Sequence, residues 1–269
     1  MEQVKLLLLC SAQANQKALA NKLAGKFLLK GIIIEQKPGK RKGPKKYLEA
    51  LLDHTLFANI RNSWQGMLQF YNERYPDYPT PNILRVSQIN SAETIEFIKQ
   101  AGVDMLVVSG TGIIKSDILC LPLKSGIVNL HTGLSPYVKG GPNCTNWCVS
   151  TGRFEMIGNT VMWIDKGIDT GDIIATERID LTGVQNLSQL HLAVMEHAHD
   201  LYCRAIEKIV VDNGSVKTIS QNSLGNGTTY YTKNWQWPQK WALIKNFPKF
   251  IKWKSGTMAD RPLPKTVEL

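Results

Sequence analysis

Apolar and polar positions along this chain repeat with two periods, and the switches between them mark out its elements. Val4 to Cys10 is short and almost wholly apolar, as expected of a strand covered on both faces. Asn15 to Phe27 then reads as a helix and Gly31 to Glu35 as a second strand, the opening of a βαβ unit. Helical patterning resumes from Tyr47 to about Glu73, and prolines between Pro76 and Pro81 mark a turn before a strand at Asn82 to Val86. Ser91 caps a helix running to Ala101; a strand over Asp104 to Ser109 and a short helix near Ser116 to Leu119 follow. Ile127 to His131 is a further strand. Asn159 to Asp165 and Gly171 to Glu177 alternate like a hairpin, and Asn186 to Val210 forms one long amphipathic helix. Strands interleaved with helices in this order predict an α/β fold, a Rossmann-like open twisted sheet that is mostly parallel and flanked by helices.

Beyond about Val211 the character shifts, which divides the chain into a main domain over 1–210 and a short C-terminal extension over 211–269. Gly225-Asn226-Gly227 separates weakly strand-like segments, and Thr228 to Trp237 is rich in aromatics. From Lys233 to Lys254 lysines occur without a single acid, interleaved with Trp235, Trp237, Trp241, Phe247, Phe250 and Trp253. Three readings stay open: an extension that packs its aromatics on the core, a surface for substrate or for a homodimer, and a membrane-surface anchor. Pro238 and Pro248 are expected to break any long continuous helix, which counts against the anchor.

Composition narrows the class. With 269 residues, 43% of them apolar and 20% charged, the chain can bury one sizeable core plus an appendage. No run approaches the ~18 apolar residues of a membrane span, so no integral membrane segment is expected. Lys5 to Cys10 opens directly onto a polar helix, which fits a core strand better than a signal peptide and places the protein in the cytoplasm. The five cysteines are odd in number and scattered, so they read as free structural thiols. Cys144-x3-Cys148 lacks the second ligand pair of a zinc site, and no metal is expected. His191, His197 and His199 read as a solvated or partly packed helix face. The formal net charge of +10 favours an anionic partner without saying which: nucleic acid, a nucleotide-linked sugar and an acidic membrane all fit.

The candidate chemistry sits at strand ends. Period-two alternation sends Asn129 and His131 to one face, with Leu130 pointing into the core behind them. An amide and an imidazole that project together suit chemistry at a carbonyl, since the amide can donate to a developing oxyanion while the imidazole accepts or returns a proton. Asp169, in the turn Gly167-Ile168-Asp169-Thr170-Gly171, would orient or charge-balance that histidine. A strand-end cap beside an ordinary Asp-Thr-Gly turn accounts for the same residues. Gly110-Thr111-Gly112 ends another strand at the carboxyl edge where ligands of open α/β sheets sit; a plain turn explains it equally well.

The run Asn129-Leu130-His131-Thr132-Gly133-Leu134-Ser135-Pro136-Tyr137, followed by Gly140-Gly141, Gly158-Asn159-Thr160 and Gly167 through Ile174, resembles the 10-formyltetrahydrofolate-dependent formyltransferase family over roughly Lys5 to Val210. Thr132 departs from it, since proline is usual there. The resemblance implies an N-formyltransferase with Asn129, His131 and Asp169 as its catalytic residues and 10-formyltetrahydrofolate as co-substrate. It implies a pterin pocket built from Gly110, Thr111, Gly112, Ile113 and Ile114 together with Ile164, Asp165 and Ile168. It also implies an oxyanion held by Asn129 and protonated His131, with Asp169 acting on that histidine through an ordered water.

Within the family, glycinamide ribonucleotide transformylases carry glycines in the loop after the first strand, where this chain has Ser11-Ala12-Gln13-Ala14-Asn15. Alanine adds a methyl group where backbone must approach phosphate. Methionyl-tRNA formyltransferases add a C-terminal barrel of roughly a hundred residues, more than follows Val211 here, so no nucleic acid partner is expected. The remaining branch formylates nucleotide-linked amino sugars, an activity of polysaccharide biosynthesis. The basic loop Lys37 to Lys46 would meet the diphosphate or remain a solvated charge run. A noncatalytic ligand-binding or membrane-peripheral module of the same fold is the alternative from another class.

Overall fold

A computed structural model describes residues 3–37, 50–167, 169–256 and 262–269. Its main sheet contains β1 (Lys5–Ser11), β2 (Leu28–Glu35), β3 (Ile83–Val86), β4 (Met105–Ser109), β5 (Ile127–His131), β7 (Gly158–Trp163) and β8 (Ile173–Arg178). The strand order is β3-β2-β1-β4-β5-β7-β8. The first five strands pair in parallel, whereas β7 runs antiparallel to both β5 and β8. A two-stranded parallel ribbon joins β6 (Val138–Gly140) to β9 (Thr228–Tyr230).

The apolar run at the start of the chain is explained by burial on both faces. Leu6, Leu8 and Cys10 lie in one core cluster, with Leu19 and Leu23 of α1 (Ala14–Ala24) and with Leu201, Ala205 and Ile209 of the long helix Leu187–Val211. Leu7 and Leu9 point the other way, into a cluster with Ile98 of α3 (Ala92–Ala101) and Ile118 of α4 (Ser116–Leu119). Between α1 and α3 in sequence, α2 (Ala58–Arg74) packs on α1 and on the long helix. Capping follows the sequence where a cap was legible. The Ser91 hydroxyl accepts from Thr94 N at 3.3 Å, and Asn186 Oδ1 accepts from Gln189 N at 2.9 Å to start the long helix.

Of four expectations, three need correction and one lies outside the described residues. The single helix from Tyr47 to Glu73 is interrupted: residues 50–54 are helical, 55–57 form a turn, and α2 then begins. Thr55 Oγ1 donates to Leu51 O at 2.9 Å, closing the first turn, and Phe57 is drawn into the core at the break. Second, prolines do not break the C-terminal helix. After α5 (Cys144–Thr151), the long helix α6 (Leu187–Val211) and the short α7 (Gln221–Leu224), helix α8 runs unbroken from Trp237 to Lys254. Pro238 sits in the first turn, where its missing N–H has no intrahelical partner anyway. Pro248 is tolerated mid-helix because Leu243 and Phe250 on either side are buried against Val149 and Phe154. Third, the basic loop from Lys37 onward lies outside the described residues except for Lys37 itself.

The fourth concerns the histidines of α6. His191 and His199 are buried, at 2% and 0% exposure, and do not form a solvated face. Burial pushes the His191 imidazole down to about 4 and His199 well below its usual range. Both are neutral in the folded protein, and unfolding restores an ordinary value of about 6.5. The unfolded chain therefore binds more protons below about pH 6.5, so stability is complete above that pH and is lost as pH falls toward 4. The urea midpoint should fall between pH 7 and pH 4.5, with His191 alone contributing about 2 kcal/mol. A His191→Gln variant should show a shallower decline, and a midpoint flat across the window would contradict this account.

Candidate active site

The site begins at the carboxyl end of β5. Two devices fix where that strand ends. The buried Tyr202 hydroxyl of α6 accepts from Val108 N at 2.8 Å and donates to Val128 O at 2.7 Å, stitching β4 to β5 one residue before Asn129. Thr160 of β7 lies opposite His131; its hydroxyl donates to Gly133 O at 2.7 Å and accepts from Ser135 N at 2.9 Å, folding the following loop back. Gly133 is required there by space. A Cβ would fall on His131 Nε2, 2.8 Å from Val138 O and 2.9 Å from Cys144 Sγ.

Asp169 reaches this strand end from the β7–β8 loop with φ of 50°, a left-handed conformation that Asp adopts more readily than most residues. The loop is held from several sides. Gln221 Nε2 donates to Asp169 O and Gly171 O, both at 2.8 Å, while Asp165 Oδ1 accepts from Gly167 N at 2.8 Å and Thr170 Oγ1 at 2.6 Å. The carboxylate meets both polar groups of β5: Asn129 Nδ2 donates to Oδ1 at 3.4 Å, and His131 Nδ1 lies 3.4 Å from Oδ2. Gly140 N donates to Oδ2 at 3.1 Å. These contacts are direct, whereas the sequence suggested that a water would intervene.

The imidazole is largely buried, and its other nitrogen, Nε2, lies 3.1 Å from Val138 O and 3.6 Å from Cys144 Sγ. Both ring nitrogens thus face oxygen acceptors. Burial raises the Cys144 thiol well above its ordinary range, so it stays protonated beside the ring.

These groups open onto a cavity of about 850 Å³. Asn129, His131 and Asp169 line it, as do Gly110, Thr111, Gly112, Ile113, Ile114, Ile164 and Asp165. Ile168 lies outside the described residues. Gly110 has φ of 71°, and the turn it starts is pinned from β2: Glu35 Oε2 accepts from Gly112 N at 2.7 Å and Oε1 from Ile89 N at 3.2 Å.

Sequence reasoning missed the wall from α2, and had a substrate surface as one of three open readings of the segment beyond Val211. One face of α2 and its approach supplies Phe57, Ile60, Arg61, Trp64 and Gln65, at the helical spacing that ordinarily marks a core face. Tyr230, Tyr231, Thr232, Trp235 and Lys240 come from the segment beyond Val211. Trp147 stacks on Tyr230 at 4.4 Å and meets Trp235 edge-on at 4.9 Å, fixing that wall. Asn15 and Gln16 at the start of α1 are buried and also line the cavity, each with a carbonyl oxygen that has no hydrogen-bond partner among the described residues.

A family model described as "Formyl transferase" matches residues 59–206, more than half of the chain. The chain belongs to the formyl transferase family. The chain is 34% identical over 134 residues to a methionyl-tRNA formyltransferase of Clostridium perfringens, a match covering 49% of the chain and 42% of that relative. The match thus spans less than half of the relative's own length. In fold it is similar to a sugar N-formyltransferase from Shewanella sp. (TM-score 0.52, 14% identity, 86% of this chain and 78% of that one). It is similar also to a phosphoribosylglycinamide formyltransferase from Anaplasma phagocytophilum (TM-score 0.53, 15% identity, 86% of this chain and 100% of that one). The mostly parallel sheet flanked by helices is the fold they share. Among the described residues no cluster of three or more His, Cys, Asp or Glu side chains forms a metal site, and no helix is long and apolar enough to cross a membrane.

Proposed function

We propose that this formyl transferase moves a formyl group from 10-formyltetrahydrofolate to the primary amine of a nucleotide-linked amino sugar. The observation that carries the reading is the convergence of Asn129, His131 and Asp169, with one carboxylate touching the other two, at the wall of a cavity large enough for small ligands.

The residues at the β4 end fit a folate. The turn starting at Gly110 brings backbone of 110–112 to the cavity, and Ile113 offers an exposed apolar side chain to a flat ring. In the proposed assignment Gly110 to Ile114 with Ile164, Asp165 and Ile168 hold the folate, which supplies the formyl group on N10. The chain's own groups do the rest. Asn129 Nδ2 donates to the formyl oxygen as negative charge grows there, and the His131 ring, held by Asp169, stands beside it. Asp169 fixes the ring and relays the proton released by the attacking amine toward N10, which takes it as the bond between the formyl carbon and N10 breaks, leaving the formylated amine and tetrahydrofolate.

The acceptor reading draws on the wall formed by Tyr230, Trp235 and Lys240, which adds aromatic faces and an Asp53-paired ammonium to the cavity. A second reading, methionyl-tRNA, is favoured by the named relative from Clostridium perfringens. Both are tested by incubating the protein with 10-formyltetrahydrofolate and either UDP-, GDP- and dTDP-linked amino sugars or methionyl-tRNA, following tetrahydrofolate release. Turnover with a nucleotide sugar is expected; turnover with methionyl-tRNA alone would move the assignment to the second reading.

A further inference from the structure

Apart from Arg61, the basic side chains lining the cavity among the described residues, Lys240 and His131, each stand within ion-pair distance of a carboxylate. Asp53 pairs with Lys240, Asp169 with His131, and Asp165 accepts from Gly167 N and Thr170 Oγ1 within its own loop. Arg61 is the exception: among the described residues it has no carboxylate partner. Its guanidinium makes two long contacts to neutral groups, Nη1 to His54 Nε2 at 3.4 Å and Nη2 to Asn62 Oδ1 at 3.4 Å. A guanidinium carries five N–H donors in a planar fork matched to phosphate oxygens, so most of this one's donor capacity is open. It stands on the cavity face of α2, one helical turn before Trp64 and Gln65.

We propose that Arg61 is a specificity-determining residue that holds a phosphate of the acceptor, the group being the diphosphate of a nucleoside diphosphate. This rests on the reading of the acceptor as a nucleotide-linked sugar. The argument is charge complementarity: among the described residues lining the cavity Arg61 is the cation with no carboxylate partner and its open donors suit a phosphate, while Asp165, whose partners are the neutral Gly167 N and Thr170 Oγ1, lies on the β7–β8 loop and not on α2. The folate's own carboxylates are the other small anions that enter this cavity. They are set apart by position in the fold, since the proposed folate residues lie on the β4 turn and the β7–β8 loop while Arg61 is on α2.

Isothermal titration of the full chain with UDP and dTDP, with uridine and thymidine, and with tetrahydrofolate tests the proposal, on wild type, Arg61→Ala and Arg61→Lys. Loss of a charge-assisted contact should weaken diphosphate binding by about ten- to a hundred-fold. Nucleoside and tetrahydrofolate binding should stay within about two-fold, and Arg61→Lys should be intermediate because a point charge keeps the attraction and loses the fork. In the transfer assay KM for the nucleotide sugar should rise while kcat holds. Arg61 is exposed, so the variants are expected to fold; far-UV circular dichroism checks this. Wild-type-like UDP binding by Arg61→Ala would overturn the proposal even if nucleotide sugars are formylated. A loss confined to tetrahydrofolate binding would reassign Arg61 to the folate and overturn it as well. Turnover with methionyl-tRNA alone and no binding of UDP or dTDP would overturn both this inference and the acceptor reading.

Discussion

Asn129→Ala is expected to lower kcat for formyl transfer by about 10²–10³-fold, the usual cost of removing one oxyanion donor, with little change in tetrahydrofolate binding. The size of the effect follows from where the amide sits. It stands at the end of a strand stitched in place by Tyr202 and faces Asp169 Oδ1 at 3.4 Å, so the free protein already holds it near the position it would use. A preorganised donor costs no reorganisation at the moment charge develops, and alanine removes it without disturbing the backbone pairing of Asn129 with Val108 and Met162. Asp169→Asn should also impair transfer, since one carboxylate oxygen facing His131 Nδ1 or Gly140 N is replaced by an NH2 group that cannot accept. Single-turnover kinetics with saturating donor separates these effects from binding. A kcat within about five-fold of wild type for Asn129→Ala, far short of the usual donor loss, would remove Asn129 from the catalytic assignment.

Much of this site could be read from the sequence because two of its members share a strand. Alternation alone puts Asn129 and His131 on one face, and the apolar stretches that build β1, β4 and β5 are so deeply buried that their strand character survives without neighbours. Asp169 could be named from its turn as a partner for His131, but its contact with β5 depends on the hairpin β7–β8 turning back, and spacing does not encode that. Other features were out of reach for the same reason. Glu35 closing its carboxylate on Gly112 and Ile89 and Tyr202 bridging Val108 and Val128 are contacts between distant residues with no local signature. The face of α2 that lines the cavity has the periodicity of a core face, and Arg61 within it looks like any exposed helical arginine. The run through Pro248 was misjudged because a proline's local cost is fixed, whereas the burial of Leu243 and Phe250 that offsets it is tertiary.

Phe250→Ala is expected to destabilise the protein by about 3–5 kcal/mol, the range for deleting a fully buried phenylalanine. Phe250 has 0% exposure and stands edge-on to Phe154 at 5.6 Å, with Phe247 at 5.5 Å and Trp253 at 6.3 Å around it. Alanine leaves a cavity that these rings cannot fill without abandoning one another. The same substitution asks whether 211–269 is an appendage or part of the main folding unit. Helix α8 is fastened to α5 by Ser150 Oγ donating to Gln239 O at 2.9 Å and Asn246 Nδ2 donating to Ser150 O at 2.8 Å, and to residue Asp53 through Lys240. Its aromatics share one cluster with Val138 of β6 and Leu190 of α6. A cluster that crosses the 210/211 boundary should unfold as a unit, so urea titrations followed by tryptophan fluorescence and by far-UV circular dichroism should coincide in wild type. In Phe250→Ala both should move to lower midpoint with an unchanged slope. If the two signals separate and only the fluorescence transition shifts, 211–269 folds independently. In that case the wall formed by Tyr230, Trp235 and Lys240 would be a detachable part of the acceptor site, and Phe250→Ala would raise acceptor KM far more than it lowers overall stability.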